Sequence, residues 1–164
     1  MKFIVNRAIA TLAVVAGFLM HAPKASAGEV LSCKAMAKTS AEYRVANAQE
    51  VYYNNMLEAD YLLRNHIVGK KVMIQSIEST SNMFGNPLNS TIEHGQQLAN
   101  NYVIAEAKVK ALIKEALAAH EELQASGRDM DDSNSPLLDC LESNLKRVGG
   151  IEKSVVGSLR REGI

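Results

Sequence analysis

Few residues in this 164-residue chain have the type and spacing that catalysis or metal binding requires. Its histidines are His21, His66, His94 and His120. None pairs with another at the helical spacing of a zinc site. None completes the Glu-x-x-His motif of carboxylate-bridged bundles, and no Cys-x-x-Cys-His for covalent haem is present. His120 sits beside Glu121 and Glu122, so a haem or copper ion held with an opposing methionine is conceivable chemistry, whereas solvated or hydrogen-bonded rings are the simpler reading. Asp129, Asp131, Asp132 and Asp139 invite a calcium reading but fail its geometry. Counted from Asp129, the sixth position is Asn134 instead of the glycine that makes the turn, and the twelfth is Cys140 instead of a bidentate glutamate. These carboxylates read as a solvated loop near the positive end of a helix. No Gly-x-Ser-x-Gly elbow occurs, and no cofactor, metal site or catalytic residue is assigned. An enzyme is not expected.

The two cysteines, Cys33 and Cys140, are expected to join as one disulfide, the ordinary fate of an even count in an exported protein. In the chain-entropy model, closing a loop of about 100 residues is worth roughly 4 to 5 kcal/mol. A redox-active pair is not indicated, since no Cys-x-x-Cys is present. Four of the five tyrosines, Tyr43, Tyr52, Tyr53 and Tyr61, fall close together with Met56 and several asparagines. On a helix, Tyr43 and Tyr61 share one face and Tyr52 points to another. One face can pack internally while the other offers amphipathic rings to a partner, so these four are the candidate interface. Their competing role is simply to cover the core.

The reading of the cysteines rests on the N-terminus. Lys2 and Arg7 precede an uncharged apolar run over residues 8–20, which is shorter than the roughly 20 residues needed to span a bilayer. Pro23 ends the run, and Ala25 and Ala27 place small residues three and one positions before a cut at Ala27/Gly28. Residues 1–27 are therefore expected to be a cleaved signal peptide, and residues 28–164 a single periplasmic or secreted domain. Val30-Leu31-Ser32-Cys33 loosely resembles a lipidation site, but it stands too far from the apolar run. The whole chain balances 18 basic against 18 acidic residues, and loss of Lys2, Arg7 and Lys24 would leave a mild acidic excess. That charge and the lack of tryptophan give nucleic-acid binding little support. No later run suggests stable membrane insertion after cleavage.

The elements that must carry these residues are helical throughout, and the fold class expected is all-α. Residues 40–126 read as an elongated antiparallel hairpin. Its second arm, over residues 90–125, opens on the capping box Ser90-Thr91-Ile92-Glu93 and stops at Ser126-Gly127. Within it Leu98, Tyr102, Ala105, Val109, Leu112, Ala116, Ala119 and Leu123 recur at alternating spacings of four and three, widened by Ile113 and Leu117. The first arm carries Val45, Ala48, Tyr52, Met56, Ala59 and Leu63 inward. It should kink or turn near Gly69 and resume with Met73, Ile77 and Phe84. Shorter C-terminal helices are expected over residues 136–161. Ser135 caps the first, Leu137, Leu138, Leu141 and Leu145 form its apolar face, and Gly149-Gly150 closes it.

A long seam with little chemistry on it points to a non-enzymatic envelope protein that acts through protein–protein contacts or self-association, as a subunit, adaptor or chaperone of a surface or secretion assembly. The alternative is a periplasmic bundle that binds haem, a metal ion or an apolar ligand.

Overall fold

A computed structural model of the chain describes residues 30–84, 89–130 and 133–164. The expected leader, with Ala25, Ala27, Gly28 and the cut, lies outside the described residues. So do Pro87 of the inter-arm link and Asp131 and Asp132 of the acidic loop.

The described residues are all-α. A short 3-10 turn, Lys34–Met36, precedes α1 (Ser40–Leu62), which runs on through a π-helical turn, Leu63–Ile67. Then follow α2 (Lys70–Phe84), α3 (Asn89–Gly127), α4 (Ser135–Arg147) and α5 (Ile151–Glu162). At 1.5 Å per residue the 39 residues of α3 extend about 58 Å. That length sets the long axis of the molecule.

α1 starts where its sequence says it must. Thr39 caps the helix by accepting from the Glu42 amide, and the Glu42 carboxylate accepts from the Thr39 amide 3.1 Å away, so two otherwise unpaired donors are satisfied reciprocally. The helix widens at Leu63, where the Val68 amide reaches back five residues to the Leu63 carbonyl at 2.8 Å. Gly69, at φ 75°, takes the left-handed conformation that lets the chain turn before α2. The interruption expected near Gly69 is thus a π-helical turn followed by a glycine turn.

α1 and α2 together form one arm, antiparallel to α3. Arg44 meets Glu122, Asn55 meets Glu115, Glu58 meets Lys108 and Ile77 meets Gly95, so contacts climb the first arm as they descend the second. The expected inward stripe of α1 is buried in full, and so is the seam of α3 from Ala105 to Ala119. Tyr52, Met56, Ala59, Leu62, Leu63 and Ile67 pack there with Val109, Leu112 and Val155 of α5. Each valine, leucine, isoleucine or methionine among them contributes roughly 1.5 to 3 kcal/mol when removed from water.

Three details differ from the sequence reading. Leu117 and Leu145, expected on apolar faces, are both more than half exposed, because the seam of α3 is only one helix wide and α4 turns Asn144 and Val148 inward in place of Leu145. The cap position of α4 falls on Asn134, not Ser135, and Pro136 stands in the first turn. Gly150 is left-handed and begins α5 directly, so the glycine pair is a tight corner between α4 and α5.

Candidate functional site

The base of the hairpin is closed by a strap. Residues 30–38 cross it, Lys34 pairing with Glu50 of α1 at 3.2 Å, and three further contacts tie them to the α4 end of the chain. Cys33 and Cys140 form a disulfide that bridges a sequence separation of 107. Asn144, buried on α4, accepts from the Leu31 amide at 2.8 Å and donates to the Leu31 carbonyl at 2.9 Å, so one side-chain amide pairs with the strap as a neighbouring strand would. It also donates to Gln49 Oε1 at 3.1 Å, and Gln49 in turn donates to the Leu141 carbonyl. The third contact is Asn134, whose amide donates to the Met36 carbonyl and to the Glu42 carboxylate. Amide donors from Lys38 and Thr39, together with Asn134, hold the Glu42 carboxyl below the ordinary glutamate range, against the opposing effect of burial. Cys33, Val45, Ala46, Leu137, Cys140 and Leu141 fill the space beneath the strap.

α5 seals the next stretch of α1. Asp60, nearly buried, accepts from Ser154 at 2.7 Å and pairs with Arg64 at 2.8 Å, while Arg64 also donates to Ser154. Glu152 lies against Tyr52 and Tyr53. Burial first, and this carboxylate second, push the Tyr52 phenol up to about 12 and raise that of Tyr53.

The far end is finished differently. Between Val68 and Ile104, no residue with a described side chain is buried. α2 touches α3 along one line, where Ile77 rests on Gly95 so closely that a Cβ there would come within 2.9 Å of Ile77 Cγ2. Ile74, Leu98 and Tyr102 are half-buried, whereas Val72 at 70% exposure, Met83 at 82% and Val103 at 64% face outward, with Met73, Ile92 and Ile104 between them.

The structure separates the four candidate tyrosines. Tyr43 is exposed on the first turn of α1, Tyr53 and Tyr61 pack against the core from its edge, and Tyr52 is only 6% exposed. Tyr52 fits inside because Ala116 and Ala119 of the facing seam are small. A single outward face of four rings does not form. The three described histidines are also dispersed. His66 follows Tyr61 into the π-helical turn, where burial and the nearby Lys70 lower its pKa, and His94 is exposed at the tip. His120 stacks at 5.4 Å on Tyr52, with Nε2 2.9 Å from Gln124 and a buried Nδ1 that has no hydrogen-bond partner. Among the described residues, no three His, Cys, Asp or Glu side chains gather as a metal site would require. Asp129 and Asp139 both lie exposed.

Sequence periodicity overlooked the polar residues of the base. Glu42 and Gln49 occupy the same three-and-four register as Val45, Tyr52 and Met56, and a carboxylate and an amide at core-facing positions were the available signal. Asn144 carried a similar one, three residues after Leu141 on the buried side of α4. The apolar tip was legible only as unpaired valines, isoleucines and methionines beyond Gly69.

On the flank of the hairpin away from α5 runs a shallow groove of about 320 Å³ between α1 and α3. Its floor is Ala48, Val51, Ala118 and Ala119, and Glu115 and Glu122 stand along one wall. Comparison of the chain with protein-family models, with curated proteins and with solved structures found no match.

Proposed function

We propose that this is an exported, non-enzymatic protein of the cell envelope that works through protein contacts, as a subunit, adaptor or chaperone of a surface or secretion assembly. One observation carries the reading. Over residues 68–104 the two helices of the hairpin bury none of their described side chains completely and present Val72, Met73, Met83, Ile92, Val103 and Ile104 to solvent. Two lone helices cannot cover their apolar stripes, and contiguous exposed apolar surface of this kind is characteristic of contact sites. The base bears the opposite finish, sealed by a disulfide, a strap and α5, and so can hold the tip out rigidly.

Compartment rests on separate support. A disulfide persists in oxidising surroundings, which agrees with the leader-like pattern of residues 1–27. None of the described helices is long and apolar enough to cross a membrane.

Fractionation of cells producing the native gene tests the compartment: the chain should appear shortened by 27 residues and oxidised, and a full-length reduced cytosolic product would refute export. Photo-crosslinking from positions 73 and 83 tests the contact, with a discrete adduct expected in the envelope fraction. Stoichiometric metal or a visible chromophore in the purified protein would instead favour the ligand-binding bundle, with His120 as the first residue to replace.

A further inference from the structure

The groove between α1 and α3 and the outer face of α5 match each other, and we propose that the protein associates with itself head to tail, α5 of one copy seated in the groove of the next. This names a partner for the contact-based function proposed above and rests on that reading. On α3, Glu115 and Glu122 stand seven residues apart and flank Ala118 and Ala119. On α5, Lys153 and Arg160 stand seven residues apart and flank Val156 and Gly157. Seven residues are two helical turns, about 10.5 Å, so both charge pairs meet at once when the helices lie side by side. Between the charges both surfaces are small. A Cβ at Gly157 would meet nothing within 4 Å, and an alanine floor opposite a glycine lets two helix axes approach to about 8 Å.

The groups are free to engage. Lys153 and Arg160 are exposed and form no ion pair among the described residues. Glu122 accepts from Ser126 at 2.7 Å and meets Arg44 at 3.7 Å, both through Oε1, so Oε2 of this half-exposed carboxylate is the atom a partner would meet, and Glu115 accepts from Asn55 at 3.4 Å, an exchangeable contact. The two surfaces also point away from each other. Val51 in the groove and Asp60 under α5 are nine residues apart on α1, which at about 100° per residue places them on opposite sides of that helix. A contact between unlike surfaces on opposite flanks is heterologous, so it propagates into a ring or a filament and does not close as a two-fold dimer.

Sedimentation velocity on the oxidised chain over a concentration series should reveal species beyond the monomer, with an association constant falling at least about tenfold as ionic strength rises. Glu115→Lys with Glu122→Lys, and separately Lys153→Glu with Arg160→Glu, should each leave a folded monomer by circular dichroism. Mixing the two variants should restore the larger species, because each then meets a surface of opposite charge. Oligomers that persist in either variant alone, or a mixture that stays monomeric, overturn the proposal. So does a wild-type chain that remains monomeric at every concentration. In that last case, an envelope adduct formed from position 73 or 83 leaves the contact-based reading standing, and its absence removes both.

Discussion

From Thr39 to Leu62 the first arm is covered by α3, by the strap and by α4 and α5, whereas from Lys70 to Phe84 it meets chiefly α3, beyond the π-helical turn that leads into it. The helical period is the same in both stretches. What differs is the number of neighbours, and with it the fate of polar and apolar residues. In the covered stretch Glu42, Gln49 and Asp60 are buried and each finds partners. In the uncovered stretch valine and methionine remain in water. Polar groups inside and apolar groups outside are each costly alone, so the pair describes a molecule whose base is specified by its own contacts and whose tip is completed by another surface.

The comparison breaks most visibly if the clasp is removed. Cys33→Ser with Cys140→Ser should lower unfolding free energy by about 3 to 5 kcal/mol, read from urea denaturation of oxidised and variant protein side by side. A loss under about 1 kcal/mol would mean that the strap holds without its bond. Asn144→Ala comes next. It strands the Leu31 amide and carbonyl and one acceptor of Gln49, and about 2 to 3 kcal/mol should be lost in the same assay.

Titration sharpens the contrast further. The lowered pKa of Glu42 means that the folded state holds its proton less tightly than the unfolded chain, whose carboxyl titrates near 4.3. Its contribution is therefore complete above that value and is lost as pH falls through the depressed folded pKa. Glu42→Gln should flatten the acid limb of a stability–pH profile, and an unchanged limb would remove Glu42 from the clasp. Tyr52 works from the alkaline side. With its phenol pushed up to about 12 against about 10 when unfolded, stability should decline as pH rises between these values. Ultraviolet absorbance should detect a late-ionising tyrosine component, to which Tyr53 and Tyr102 also contribute, and it should shrink by one phenol in Tyr52→Phe. The smallest thermodynamic effect belongs to the tip. Val72→Ser with Met83→Ser should shift stability by no more than about 0.5 kcal/mol per site while abolishing the envelope adduct formed from position 73. A large loss of stability would show the tip to be core.

The all-α class, the hairpin and the seam of α3 could be read from sequence because each depends on a repeat of three and four along one helix. The seam from Ala105 to Ala119 and the stripe from Val45 to Leu63 are buried where that repeat puts them. What could not be read depends on which helix faces which. Tyr52 and Tyr53 are neighbours in sequence, yet one lies inside and the other at the edge, a choice made by the small residues of α3 and by the placement of α5. Leu117 and Leu145 were misplaced for the same reason, since an apolar residue on a helix says nothing of whether a second helix arrives to cover it. The clasp was half legible. Its cysteines announced themselves, whereas Asn134 and Asn144 act through backbone groups about a hundred residues away, which no local pattern encodes.

The disulfide also has a mechanical consequence. Tension applied between the strap and the C-terminus enters through Cys33 and crosses directly to Cys140, bypassing a sequence separation of 107. The hairpin carries none of that load, and only residues 140–164 can be drawn out, to about 80 Å at full extension. A molecule pulled between the strap and the C-terminus would thus lose α5 and the part of α4 beyond Cys140 while its projecting tip stayed folded, a load limit set by one covalent bond at the opposite end of the hairpin.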